Sequence, residues 1–123
     1  MANTRRFEDI RAWKAARVLT RRIYEVTSER PLSRDFGLKD QIRRASVSVM
    51  SNIAEGFERM GFREFRRFLI YAKGSTGELQ SQLYVALDTD GISQDTFDEL
   101  YKRADEVARM ISGFVRYLEG HRT

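Results

Sequence analysis

The segment Phe62–Ala86, FREFRRFLIYAKGSTGELQSQLYVA, decides the fold. Phe62, Phe65, Leu69, Ala72, Thr76, Leu79, Leu83 and Ala86 follow one another at alternating intervals of three and four residues. That spacing keeps one apolar stripe on one side of a helix and excludes the period of two that a half-buried strand would show. A helix of this length with a single apolar stripe must bury it against other helices.

Three further segments supply them. In the first, about Phe7 to Ser28, Ala12, Ala16, Leu19, Ile23 and Val26 form the stripe, widened by Ile10 and Trp13. Pro31 then forbids continuation and disfavours helix at Arg30. The second runs from about Asp35 to Phe57 with Leu38, Ile42, Ala45, Val49, Ile53 and Gly56 on its seam, and the third covers 62–88. After DTDGIS, which offers Gly91 for a turn and Ser93 as an N-cap, the fourth spans 93–119 through Phe97, Leu100, Ala104, Val107, Ile111, Phe114 and Leu118. RASVSVM alternates briefly, but its flanks keep helical spacing. The expected fold is all-α: one domain over residues 1–123, an antiparallel up-and-down four-helix bundle with short connections.

Composition narrows the function. The 123 residues include no cysteine, which removes disulfides and thiolate metal sites. No apolar run approaches the ~20 residues of a membrane span, and MANTRRFED lacks the apolar core of a signal peptide. A cytoplasmic protein without cofactor, metal or membrane contact is expected. The net charge of +4 is unevenly divided: residues 1–67 carry 16 Lys/Arg against 9 Asp/Glu, and the remainder 6 against 9. Arginine, well suited to bidentate phosphate contacts, makes up all but four of the 22 cations. A basic N-terminal half points toward nucleic acid.

Two basic faces are candidates. Arg59, Arg63 and Arg66 recur on one side near the start of the third helix, with Arg67 beside them and Arg43 on the outside of the second. Arg11, Lys14, Arg17, Arg21 and Arg22 run along the first. Contacts from such faces would be sequence-tolerant and steeply salt-dependent. Solvated helix faces with internal pairs to Glu are the plainer alternative.

A polar stripe of Gln41, Arg44, Ser48, Asn52 and Glu55 borders the seam of the second helix, and Glu64, Tyr71, Ser75, Glu78 and Gln82 form its counterpart on the third. Antiparallel packing across ERMG makes facing positions sum to about 120, which sets Ser48 near Tyr71 or Ser75. An Arg44–Glu78 ion pair is expected, with Gly74, Ser75 and Gly77 permitting close helix approach. The simplest role for these groups is to fix register. Acid–base chemistry at Glu55 or Glu78 would need a water-excluding cleft, which nothing local implies. Val47, Met50, Ala54 and Phe57, together with Ile70 and Tyr84, form apolar surface beyond what a monomer must bury, the pattern of a subunit interface.

Catalytic templates fail. The single histidine, His121, cannot furnish a di-iron site. AKGSTGE lacks the order of a phosphate-binding loop and follows no strand. Arg116 and His121 have the spacing of the pair in helical HEPN-type ribonucleases, but Tyr117 follows the arginine and Gly120 is expected to break the helix. No catalytic residue is assigned.

The blocks FEDIRAWKAARVLTRRIYEVT, FGLKDQIRRASVSVMSNIAEG and FRRFLIYAKGSTGELQSQL resemble the four-helix bundle proteins typified by the 23S rRNA intervening sequence protein, over roughly Phe7 to Leu118. The resemblance implies a left-handed bundle assembling into a homo-oligomer, a pentameric ring, in bacteria. Through a more distant relative, the accessory protein of diversity-generating retroelements, it implies contact with nucleic acid, RNA or DNA. It implies no activity. Two readings stand: an oligomeric nucleic-acid-binding module, and a scaffold or accessory subunit that holds a protein partner.

Overall fold

The computed structural model describes residues 4–121. A 3₁₀ turn at Phe7–Asp9 leads into α1 (Arg11–Thr27); a second, at Leu32–Arg34, precedes α2 (Phe36–Glu58). Helices α3 (Phe62–Asp88) and α4 (Gln94–His121) complete the chain, and the described residues contain no strand. Each helix packs on two others, α1 on α2 and α4, and α3 on α2 and α4, with α2 and α3 forming the largest contact. This is an antiparallel up-and-down four-helix bundle.

The core is the set of seams. Leu19, Ile23, Ile42, Val49, Ile53, Leu69, Leu79, Leu83, Leu100, Val107 and Ile111 are buried to 1% exposure or less. Small residues (Ala16, Ala45, Ala72, Ala104) alternate with them, so the layers interlock. Three hydroxyls are also buried, and each is satisfied within a helix. Thr27 donates to the Ile23 carbonyl at 2.8 Å, Ser46 to that of Arg43 at 2.9 Å and Thr76 to that of Lys73 at 2.6 Å. Such back-bonding hides a hydroxyl at little cost.

The helix ends follow local chemistry. Asp35 caps α2 by accepting from the Leu38 N–H at 3.2 Å, and the Ser93 hydroxyl accepts from the Thr96 N–H at 3.1 Å ahead of α4. Gly61, at φ +97°, supplies the left-handed turn between α2 and α3. Two ends differ from expectation. The chain is extended at Ile10, whose side chain is wholly buried, so the helical start expected at Phe7 becomes a 3₁₀ turn and α1 begins at Arg11. Gly120 does not end α4: His121 stacks on Tyr117 with ring centroids 4.0 Å apart and sets Nδ1 2.7 Å from the Tyr117 carbonyl, holding the last turn.

Candidate nucleic-acid interface

The polar stripe between α2 and α3 reduces to a small hydrogen-bonded group. The Ser48 and Ser75 hydroxyls lie 2.8 Å apart, as the antiparallel register requires, and Asn52 Nδ2 donates to the Ser48 carbonyl and hydroxyl at 2.9 and 3.0 Å. The expected Arg44–Glu78 ion pair is absent among the described residues. Arg44 instead pairs with Asp40 at 2.8 Å, one turn back on its own helix, where i,i+4 geometry needs no reach across the interface. At 79% exposure for the Arg44 side chain, that pair adds little stability. Gln41, Arg44, Ser48, Glu78 and Gln82 nevertheless line one shallow depression, and the buried Gln82 Oε1 has no hydrogen-bond partner among the described residues. Glu55 pairs with Arg59 at 3.0 Å on the same helix.

The close approach of α2 and α3 is also displaced from its expected place. A Cβ at Gly74 or Gly77 would meet nothing within 4 Å, whereas one at Gly56 would lie 2.7 Å from Phe68 Cβ and 3.3 Å from the Phe65 carbonyl. Gly56 is the contact point. Gly74 and Gly77 open onto solvent, with Ile70 (45% exposed) and Tyr84 (49%) at either end of the same helix face. Val47 is exposed as well; Met50 and Phe57 are half-buried against the bundle's own core.

The arginines near the start of α3 are mostly engaged. Arg59 holds Glu55 and lies over the Phe68 ring, Arg66 holds Glu119 at 2.9 Å, and Arg67 holds Glu64 at 2.9 Å while facing Phe68 and Tyr71. Glu64 acts through a direct hydrogen bond and charge to raise the Arg67 pKa. Of these four, Arg63 alone has no ion pair among the described residues. It joins Arg66, Arg67, Ile70 and Tyr71 along an open groove of about 920 Å³. Arg43 is a structural clamp between α1 and α2. It donates to the Thr27 and Ser28 hydroxyls at 2.8 and 3.0 Å and stacks over Tyr24 with its guanidinium carbon 4.3 Å from the ring centre.

Helix α1 presents a different picture. Arg22 forms a forked contact with Glu99 of α4, at 2.8 to 3.1 Å, and belongs to the packing between those helices. Hydrogen bonding to Arg22, partly opposed by burial and reinforced by Arg103, holds the Glu99 carboxyl below its ordinary range. Arg11, Lys14, Arg17 and Arg21 are exposed, and none has an ion pair among the described residues. No acidic residue occurs between Asp9 and Glu25, which leaves the outer face of α1 uncompensated. Lys14, Arg17, Val18 and Arg21 surround one shallow hollow there. The sequence names these cations but does not separate them from the α3 group; the pairing does.

Fold and surface together define a four-helix bundle with a basic outer face. More narrowly, the chain belongs to the 23S rRNA-intervening sequence protein family, whose model matches residues 8–113. A crystal structure of a protein of unknown function from the S23 ribosomal protein family of Bacteroides thetaiotaomicron is similar at a TM-score of 0.77 and 18% identity, covering 85% of this chain and 97% of that one. At that identity the likeness concerns the fold. None of the curated proteins matches the chain. No helix among the described residues is long and apolar enough to cross a membrane.

Proposed function

We propose that this chain is a non-enzymatic member of its family that forms a homo-oligomer in the bacterial cytoplasm and holds nucleic acid by its sugar–phosphate backbone. The observation that carries the reading is the row of α1 cations without carboxylate partners. Arg22, Arg44, Arg59, Arg66, Arg67 and Arg103 are neutralised locally, so their affinity for phosphate is reduced. The α1 row keeps its full charge, and phosphate contact there would release condensed counterions. Exposed Val47, Ile70 and Tyr84 offer apolar surface for association of copies. The family resemblance supports five copies in a ring. Repetition of a weak phosphate-binding face around such a ring would raise affinity through avidity.

The second reading, a protein–protein scaffold, draws support from the solvent-facing row Ile70, Gly74, Gly77, Ser81 and Tyr84. These positions recur at four and three residues and form a second seam with a low centre. Gel shift across a salt series, with light scattering for mass, separates the two. Binding that weakens steeply from low to physiological salt is expected. No binding at low salt would favour the scaffold.

A further inference from the structure

We infer that the outer face of α1 docks into the major groove of a B-form DNA duplex, an assignment that rests on the nucleic-acid reading above and specifies its ligand. At 100° per residue, Arg11, Lys14, Arg17 and Arg21 fall within an arc of roughly 120° centred opposite the buried stripe of Ala12, Ala16, Leu19 and Ile23. The cations therefore occupy the outermost ridge of the bundle on that side. Arg11 and Arg17 stand at the edges of the arc, with Lys14 and Arg21 along its middle. From Arg11 to Arg21 the ridge extends about 15 Å at the α-helical rise.

Its shape and chemistry choose among ligands. The helix stands out as a convex ridge, notched only by the shallow hollow among Lys14, Arg17, Val18 and Arg21. A ridge fits a concave partner, whereas single strands are held in grooves and stacked on open aromatic faces. No such face stands open on α1; the most exposed rings, Phe36, Tyr71 and Tyr84, belong to α2 and α3. Trp13 packs edge-on to Phe7 and carries Arg17 above it, while Tyr24 is covered by the Arg43 guanidinium. The one hydroxyl in the middle of α1, Thr20, donates inward to the Ala16 and Ser46 carbonyls and so faces α2 rather than the cation arc, where a ribose 2′-OH would lie. An A-form RNA duplex has a major groove too narrow for a helix and is recognised through 2′-OH and phosphate contacts in its wide minor groove. The major groove of B-form DNA, about 12 Å wide, admits a helix and brings a phosphate rail within reach of each edge of the arc.

Fluorescence anisotropy on three labelled ligands of equal length tests the assignment: a DNA duplex, an RNA duplex and a single DNA strand. For four phosphates engaged per α1, affinity for the DNA duplex should fall about 150-fold between 50 and 200 mM salt. The RNA duplex and the single strand should bind at least about tenfold more weakly at 50 mM, the scale at which a groove that excludes the helix becomes visible. Replacing the four cations together (R11Q, K14Q, R17Q, R21Q) should flatten the salt dependence and cost about 100-fold at 50 mM salt with the circular dichroism unchanged. R66Q/R67Q, which removes paired arginines, should stay within about threefold. Equal binding of the RNA duplex or the single strand would overturn the choice of ligand. A quadruple variant that binds like wild type would overturn the choice of face while leaving nucleic-acid binding in place. Absence of binding to all three ligands at 50 mM would remove both.

Discussion

The same chemical change, glycine to alanine, should have opposite effects at two places on this bundle. At Gly56 an added Cβ would lie 2.7 Å from Phe68 Cβ and 3.3 Å from the Phe65 carbonyl oxygen. Neither atom is the free end of a side chain, so α2 and α3 would have to separate by several tenths of an ångström. Overpacking of this kind costs about 1–3 kcal/mol. The gain in helix propensity, about 1 kcal/mol, offsets part of it. A 2.7 Å approach to Phe68 Cβ puts the clash in the upper part of that range, about 2–3 kcal/mol. G56A should therefore destabilise the fold by about 1–2 kcal/mol, a fall in Tm of about 4–8 °C for a chain of this size. At Gly74 and Gly77 a Cβ would meet nothing within 4 Å, and only the propensity term remains. G74A/G77A should stabilise the monomer by about 1–2 kcal/mol, with Tm rising by a similar interval. Urea melts of all three proteins, at equal concentrations low enough to keep the protein monomeric, make the comparison. A neutral or stabilising G56A would refute the contact geometry. A G74A/G77A variant that destabilises the monomer would refute the open face. If copies pack on that face, the double variant should also weaken association, which light scattering reads independently.

Three further outcomes follow from the pairing pattern. Because Glu99 has a lowered pKa in the fold, its contribution is present above the ordinary carboxylate value of 4.5 and is lost as pH falls through the folded value. E99Q should lower stability by about 1 kcal/mol at pH 7, and its difference from wild type should shrink on acidification below about pH 4.5, read from urea midpoints across pH. R43A should cost about 1–2 kcal/mol, because it removes the hydrogen bonds to the Thr27 and Ser28 hydroxyls and the contact over Tyr24 that tie α2 to α1, and should leave nucleic-acid affinity nearly unchanged in the anisotropy assay. S48A should cost about 1 kcal/mol through loss of the Ser48–Ser75 and Asn52 hydrogen bonds, and S48A/S75A should cost less than twice as much, as a double-mutant cycle would show.

The seams were largely legible in the sequence because burial in a bundle repeats every three or four residues: from Leu69 to Ala86 and from Phe97 to Phe114 the residues the period selects are those found inside. Phe62 and Phe65, at the end of the bundle, are only half-buried, and the buried Leu32 and Ser46 lie off the predicted stripes. The register of α2 against α3 was legible to within a turn, since an antiparallel pair joined by a short connection keeps facing positions near a fixed sum; that left Tyr71 or Ser75 opposite Ser48, and it is Ser75 that Ser48 meets. Partner choice on the surface was not. Arg44 had Glu78 across the interface and Asp40 one turn away, and only the local pair forms. The role of a glycine was equally hidden: Gly56 and Gly74 look alike in a sequence, and their difference lies in what stands opposite them. Arg43 read as an outward cation because helical phase alone does not reveal the Thr27 and Ser28 hydroxyls that end α1 beside it. The site was therefore legible as a set of cations, while the distinction between neutralised and free ones required side-chain positions.

The central claim is that the uncompensated row on α1 makes this bundle a nucleic-acid-binding protein. Its most direct test is the salt dependence of DNA-duplex binding by wild type and by the α1 quadruple glutamine variant, measured side by side. The account predicts a steep loss of affinity with salt for wild type, about 150-fold between 50 and 200 mM, and a nearly flat response for the variant. Two superimposable salt curves, or no binding by wild type at 50 mM, would contradict it.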